Sequence, residues 1–153
     1  MSIADKLKSL GITIPPAPAP AANYVPYVQE GKLVFIAGQV PRGADGRLQY
    51  VGKVGKELTE KQGYEAARLC ALNCIAQVQA CIGSLDKVKR VVQVRGFVNC
   101  PPEFTNQPQV INGASDLIVE IFGDKGKHAR AAVGVGSLPA GVGAEVEMIV
   151  AVE

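Results

Sequence analysis

Residues 128–147, HARAAVGVGSLPAGVGAEVE, decide how the whole chain is interpreted. Their apolar runs predict two strands, and the Pro- and Gly-rich middle predicts the loop that joins them. Arg130 lies at the start of the first strand, whereas Glu145 and Glu147 are two residues apart on the second, so both carboxylates share one face. Such a set can form a small-molecule site, because an arginine binds a carboxylate through two parallel hydrogen bonds, or it can be a surface ion pair.

The segments before this one predict the remaining elements of an α+β domain. Thr59 and Gln62 form a capping box, and the helix that they open extends to about Ile82. A second helix begins after residues 105–108 and ends at Gly123. The predicted strands cover about residues 25–29, 33–37, 48–51, 88–98, 129–135 and 144–152.

Both helices carry one apolar stripe, so they are predicted to pack on the same face of a mixed sheet. Two helices cannot cover both faces of this sheet, and the chain is therefore expected to form an oligomer. On the strand of residues 88–98, one face is expected to carry Val88, Val92, Val94 and Val98. The uncovered face of the sheet is expected to include Phe35 or Val34, Val133, Val135, Val146 and Val150.

The chain of 153 residues is most simply one domain preceded by a short extension. Residues 1–22 form the predicted extension, a short amphipathic helix at residues 2–10 followed by a polyproline-like segment at residues 14–20. Residues 23–153 form the predicted domain. The N-terminus carries charges instead of a continuous apolar stretch, no run can span a membrane, and free cysteines suit a reducing compartment, so a cytoplasmic location is expected.

Charge and composition disfavour nucleic-acid and metal sites. The net charge is +2 without a Lys/Arg cluster, and aromatic residues make up 5%, so neither phosphate contacts nor base stacking are supported. The one histidine, His128, and the absence of paired C-x-x-C motifs give no metal site. The sequence GASDL at residues 113–117 lacks the last glycine of G-x-S-x-G and lies in a helical pattern, so it is not interpreted as a hydrolase motif.

Several short motifs are specific when they are taken together. Residues 35–41 read FIAGQVP, and residues 65–73 lie on the first long helix and end at an asparagine. In the closing segment, RAAV at residues 130–133, LP at residues 138–139 and EVE at residues 145–147 follow one another. Spread over about residues 24–152, these motifs resemble those of the RidA (YjgF-like) family of reactive-intermediate deaminases.

The resemblance implies a chorismate-mutase-like fold that assembles as a homotrimer, with ligand sites in clefts between subunits. Deaminating members hydrolyse reactive 2-imino and enamine acids to 2-keto acids and ammonia, without a metal or an organic cofactor. By position, the resemblance implies that Arg130 binds the substrate carboxylate and that Glu147 orients or activates the attacking water. The same comparison of positions implies that four further residues line the cleft: Tyr24, Gly38, Ala132 and Asn112.

Two departures from the family pattern bear on the substrate. Ala37 stands in place of a serine and Ala132 in place of a cysteine, which makes the pocket more apolar and indicates a divergent subgroup. The sequence leaves open whether Glu145 or Glu147 faces the cleft, because they share a strand face.

Three functions follow from this resemblance. An enamine/imine deaminase is the first hypothesis, and a non-catalytic or regulatory trimer that binds a carboxylate-bearing metabolite is the alternative. An endoribonuclease or translation inhibitor is the third hypothesis, which the lack of a basic patch and of a histidine pair disfavours.

Overall fold

The computed structural model describes residues 1–19 and 22–153 of the chain. Five strands form one mixed sheet, and two long helices pack on one of its faces, which confirms the predicted fold class. The helices are α1 (Ile3–Leu10), α2 (Glu60–Ile82) and α3 (Gln107–Phe122). The strands are β1 (Tyr27–Glu30), β2 (Leu33–Gln39), β3 (Val88–Asn99), β4 (Ala129–Val135) and β5 (Ala144–Val152). Three 3-10 turns occupy Leu85–Lys87, Gly123–Gly126 and Pro139–Gly141.

The order of the strands in the sheet is β1-β2-β5-β3-β4. β3 and β4 are parallel, as α3 allows by returning the chain between them, and the other pairs are antiparallel. β5 is therefore central, and β4 is an edge strand. It follows that Arg130 lies at the edge of the sheet, whereas Glu145 and Glu147 lie at its centre.

α2 is defined by its capping residues. The Thr59 side chain accepts a hydrogen bond from the backbone N–H of Gln62, and the Gln62 side chain accepts one from the backbone N–H of Thr59, so the predicted capping box is confirmed. At the other end, Gly83 has a φ of 82°, which a glycine adopts without steric cost, and its N–H bonds the Gln79 carbonyl.

Buried thiols lie where α2 crosses β5. Cys70 Sγ is 3.5 Å from the Ala144 carbonyl oxygen, and Cys74 Sγ is 3.3 Å from that of Val146. Both side chains are fully buried, and burial raises the pKa of each thiol above its ordinary value. Cys70 and Cys74 therefore remain protonated and serve as small apolar packing groups.

One face of the sheet is covered by α2 and α3, and the other, the open face, is not covered within the described ranges. Phe35 and Val133 lie on the open face and are 41% and 44% exposed, as predicted. The prediction was wrong for Val146 and Val150, which are buried toward the helices, as is Val34, the alternative to Phe35. The two-residue period explains the error, because each of these valines alternates with a residue of the open face.

The predicted strand at residues 48–51 is wrong. These residues form only isolated bridges, one at Leu48 and one at Val51. Between them Tyr50 has a φ of 55°, a left-handed conformation that ends an extended run. The first strand begins at Tyr27 and not at Val25, because the intervening Pro26 has no backbone N–H to donate to a ladder.

β3 also differs from its predicted alternation. Two register shifts interrupt its pairing with β5, one before and one after Val91. Val91 is consequently 1% exposed and belongs to the core, whereas Val92, the predicted core residue, is only partly buried. Val88, Val94 and Val98 are buried as predicted.

The N-terminal residues pack on the domain. α1 is capped by Ser2, whose side chain accepts from the N–H of Asp5, and Leu7 is buried in the common core. Residues 12–19 have no regular secondary structure, and Pro20, the end of the predicted polyproline-like segment, lies outside the described residues. The boundary between an extension and a domain at residues 22 and 23 stays a prediction. None of the helices in the described part of the chain is long and apolar enough to span a membrane.

Candidate functional site

One group of polar side chains lies where the edge strand β4 meets α3. Arg130 Nη1 donates to Asn112 Oδ1 at 2.8 Å and to Ser115 Oγ at 3.2 Å. Both Nη1 hydrogens are used, and no described residue accepts from Nη2 or Nε. Because the side chain is exposed, this second edge of the guanidinium is accessible and presents two parallel donors, the geometry that binds a carboxylate.

The fold explains why these side chains meet. Arg130 pairs with the buried Val94 in the parallel ladder, so its side chain lies on the face that α3 covers. Asn112 and Ser115 are three residues apart on α3 and lie on the same side of that helix. Ala132 alternates with Arg130 on β4 and packs against the core beside them. The structure therefore brings together the predicted residues Arg130, Asn112 and Ala132.

Ser115 and His128 are the polar neighbours that the sequence interpretation missed. Ser115 Oγ lies 2.9 Å from His128 Nε2, and His128 Nδ1 lies 2.6 Å from the Gly126 carbonyl oxygen. A signal was present, since Ser115 lies three residues after Asn112 on α3 and His128 lies two residues before Arg130 in the sequence. We call Asn112, Ser115, His128 and Arg130 the Arg130 cluster.

A cleft of about 260 Å³ lies between β2, β5 and the loop that precedes β5. We call it the Glu145 cleft, and its lining includes Tyr24, Gly38, Pro139, Ala140 and Glu145. A Cβ at Gly38 would lie 3.1 Å from the Glu145 carboxyl group, so a glycine allows that carboxyl group to lie directly against the backbone of β2. Burial, followed by the charge of Glu147, raises the pKa of Glu145.

Glu147 lies in a neighbouring hollow. Its Oε1 forms an ion pair with Arg95 Nε at 2.6 Å, across the β3–β5 pair. This hollow measures about 290 Å³ and is lined mainly by apolar side chains, among them Phe35 and Ile149. The structure thus places Glu145, and not Glu147, beside Tyr24 and Gly38. The catalytic role assigned to Glu147 by resemblance stays a prediction, whereas its position is that of an ion pair.

The Arg130 cluster and the Glu145 cleft do not meet within one chain. Glu145 pairs with Phe97 on β3, Phe97 pairs with Val133 on β4, and Arg130 precedes Val133 by three residues. Two strand spacings and three residues along a strand each amount to about 10 Å, so the Cα atoms of Glu145 and Arg130 are about 14 Å apart. The two side chains also project from opposite faces of the sheet, which separates their charged groups further.

Known proteins share this architecture. Residues 4–146 match the family model described as "YjgF/chorismate_mutase-like, putative endoribonuclease". Protein TCP17 of Trypanosoma cruzi is 49% identical over 149 residues, covering 97% of this chain and 92% of that protein. The 2-iminobutanoate/2-iminopropanoate deaminase of Dermatophagoides farinae is 30% identical over 142 residues, covering 93% and 95%. The crystal structure of Atu1372 from Agrobacterium tumefaciens has a TM-score of 0.90 and 44% identity, covering 99% of this chain and 94% of that chain.

These similarities agree with the motifs and with the fold. The family model extends over most of the chain, and the two relatives are similar along nearly their whole length. The strand order, the helices on one face and the closing segment from His128 to Glu147 are thus features of a known group of proteins. The chain belongs to the RidA/YjgF family.

Proposed function

We propose that the protein is a hydrolase that deaminates reactive 2-imino and enamine acids in clefts between copies of the chain. Arg130 of one copy binds the carboxylate of the substrate. Glu145 of the next copy directs the attacking water, and Tyr24 and Gly38 border the reacting group. The products are a 2-keto acid and ammonia.

The observation that carries this proposal is the division of the polar groups between two sides of one chain. An arginine with a free bidentate edge lies on the edge strand, and a desolvated glutamate lies on the open face, about 14 Å away. Neither group suffices for the reaction, because hydrolysis requires the substrate to be held beside the water. A contact between the β4 edge of one copy and the open face of another would bring Arg130 and Glu145 to the same cleft.

The open face supports such a contact. Exposed apolar side chains on it or at its margin include Val28, Leu33, Phe35 and Val133. A contact that joins two different surfaces of the same chain forms a closed ring if the rotation between copies permits. Three copies, the number that the family resemblance implies, would give three equivalent clefts, each with one Arg130 cluster and one Glu145 cleft.

The chemistry needs few groups. The imine reacts in its protonated form: the oxygen of water attacks the imine carbon and forms a C–O bond, the electrons of the C=N double bond move to the nitrogen, and one water proton passes to the Glu145 carboxylate. The C–N bond then breaks, the nitrogen leaves as ammonia with the proton that Glu145 returns, and the remaining hydroxyl proton is released as the keto group forms. A glutamate whose pKa is raised exchanges protons closer to neutral pH than an exposed one.

The mite deaminase supports the reaction class, since its name states deamination of 2-iminobutanoate and 2-iminopropanoate and it is 30% identical to this chain. The substitutions Ala37 and Ala132 remove two polar side chains, and we infer that the substrate carries an apolar side chain. A cytoplasmic location and the lack of a metal or an organic cofactor stay predictions.

The decisive experiment follows 2-iminopropionate, generated in situ by an amino-acid oxidase, with and without the protein. We expect acceleration by the wild type, and a loss in kcat/KM of about 10- to 150-fold in Arg130→Ala, since one charge-assisted contact contributes roughly 1.5 to 3 kcal/mol. Arg47→Ala, a change in an exposed turn, is the matched control and keeps wild-type activity.

The alternative is a non-catalytic oligomer that binds a carboxylate-bearing metabolite. It uses the same free edge of Arg130, so it predicts calorimetrically detectable binding of a 2-keto acid that Arg130→Ala abolishes. No acceleration for any imino acid of a panel, combined with such binding, would replace the deaminase proposal by this one.

A further inference from the structure

The Arg130 cluster contains a continuous chain of hydrogen bonds. It runs from the carbonyl of Gly126 through both ring nitrogens of His128 and the hydroxyl of Ser115 to Arg130 Nη1. The three distances are 2.6, 2.9 and 3.2 Å in that order. Neither Ser115 nor His128 has a role in the reaction described above.

The direction of each hydrogen bond follows from the two ends of the chain. A guanidinium only donates, so Ser115 Oγ accepts from Arg130 and has its own hydrogen left to donate to His128 Nε2. A carbonyl only accepts, so His128 Nδ1 carries the proton that reaches Gly126. The Gly126 end thus requires a hydrogen on Nδ1, and in the tautomer that carries its only ring hydrogen there, Nε2 has a lone pair to which the Ser115 hydroxyl can donate.

The far end of the chain is firmly placed. Gly126 is buried, and a Cβ at this position would lie 2.6 Å from the Ile118 carbonyl oxygen of α3. Only glycine therefore permits the turn at residues 123–126 to lie so close to α3. The acceptor for His128 is consequently held by the same helix that carries Ser115 and Asn112.

We propose that Ser115 and His128 are positioning residues that fix the plane of the Arg130 guanidinium for a substrate carboxylate. Asn112 and Ser115 occupy the two Nη1 hydrogens, and His128 fixes the direction of the Ser115 hydroxyl. The Nη2–Nε edge is then directed before the substrate arrives, which lowers the entropy lost on binding. This inference rests on the proposed function only in naming a carboxylate as the ligand of that edge.

The hydrogen-bond chain is testable without activity, because His128 is the one histidine of the sequence. In the full-length ¹⁵N-labelled protein at pH 7.5, long-range ¹H–¹⁵N spectra should show a protonated Nδ1 and an unprotonated Nε2. Ser115→Ala should shift the ring toward the Nε2-protonated tautomer, whereas Ser137→Ala, at an exposed loop serine, should not. An Nε2–H or doubly protonated ring in the wild type, or a ring unaffected by Ser115→Ala, overturns the proposal.

The effect on Arg130 is measured in the same spectra. The NMR signals of the Nη1 hydrogens can be assigned because they disappear in Arg130→Lys. They should be resolved in the wild type and should broaden in Ser115→Ala, because rotation about the Cζ–Nη1 bond becomes faster. Ser115→Thr retains the hydroxyl and should restore them. Equal rotation in the wild type and Ser115→Ala, with both proteins folded by circular dichroism, overturns the positioning role.

Kinetics then test the consequence for the substrate. Ser115→Ala should raise KM for 2-iminopropionate about tenfold and leave kcat within about twofold, and Ser115→Thr should recover most of the change. An unchanged KM, or a loss in kcat that threonine does not restore, contradicts the proposal. If the wild type hydrolyses no imine, the proposed function fails, and the tautomer and guanidinium signals still decide the role of Ser115 and His128.

Discussion

The Arg130 cluster and the Glu145 cleft hold their charged groups in opposite ways. Arg130 is exposed, and hydrogen bonds from its Nη1 to side chains of α3 fix one edge of its guanidinium. Glu145 is instead partly buried, with its carboxyl group against the Gly38 backbone, and burial raises its pKa. A guanidinium keeps its charge at every relevant pH, whereas a carboxyl group with a raised pKa gains or loses its proton at a higher pH than an exposed one.

The difference in environment suits Arg130 and Glu145 to two different tasks. In the proposed function, hydrogen bonding prepares Arg130 to bind an anion, and partial burial prepares Glu145 to transfer a proton. If the two groups lay side by side in one chain, the positive guanidinium would lower the pKa of the carboxyl group, and Glu145 would lose its raised pKa. Within one chain their Cα atoms are about 14 Å apart and their side chains project from opposite faces of the sheet, so the two properties do not interfere.

The largest effect is expected from separating the copies. Phe35→Asp places a charge on the open face, where a contact with another copy would bury it without a partner. The chain should remain folded, since Phe35 is 41% exposed in the single chain, but become monomeric and lose all deaminase activity. Light scattering and the imine assay measure the two results, and Phe35→Leu is the control that keeps both.

A mixing experiment tests whether the Arg130 and the Glu145 of one cleft come from different copies of the chain. Arg130→Ala and Glu145→Gln chains are each expected to keep at most about a tenth of the wild-type kcat/KM when assayed alone. Refolded together in equal amounts, they should regain up to about a quarter of the wild-type activity, because one quarter of the clefts receive both intact residues. Absence of recovery, with mixed oligomers demonstrated by mass spectrometry, would mean that both residues must come from the same chain.

The next effect distinguishes the two carboxylates of β5. Glu145→Gln should lower kcat by roughly 100-fold or more, the contribution of a placed acid or base, whereas Glu147→Gln should change kcat by less than about fivefold. The two variants are matched, since both residues lie on the open face of one strand and each change removes one charge. The reverse result would assign the water to Glu147, as the family resemblance predicted.

The smallest effect concerns stability. The pKa of Glu145 is raised in the folded state above its ordinary value of 4.5, first by burial and then by Glu147, so the folded protein holds this proton more tightly than the unfolded chain. The stabilisation is complete below pH 4.5 and is lost as the pH rises through the raised pKa. Urea unfolding between pH 4 and 7 should therefore show a decline in the wild type relative to Glu145→Gln at equal protein concentration. Glu147→Gln should make this decline smaller.

Local patterns were sufficient to predict most of the fold. The capping box of Thr59 and the spacing of apolar residues along α2 specify that helix without reference to the rest of the chain. β5 alternates strictly between buried and partly exposed residues, which is why its bounds matched the prediction. Arg130 could be predicted as a site residue because its position within a specific motif can be read without knowledge of its surroundings.

The neighbours of the charged groups depend on features that local patterns do not contain. Which carboxylate meets Gly38 is set by the pairing of β2 with β5, and that pairing shifts register between Ile36 and Gln39. The contact of Ser115 with His128 depends on how closely the turn after α3 packs against that helix. Both are long-range results of packing, so only the folded structure places them.

Chemical modification of the two buried thiols beneath β5 reports the separation of α2 from that strand. Cys70 and Cys74 are protonated and fully covered, so an alkylating reagent or an oxidant reaches them only when α2 separates from β5. Because α2 packs against the strand that carries both glutamates, such an opening also dismantles the Glu145 cleft. The rate at which these two cysteines are modified therefore measures how long the cleft survives intact, and the partly exposed Cys81 provides the faster internal reference.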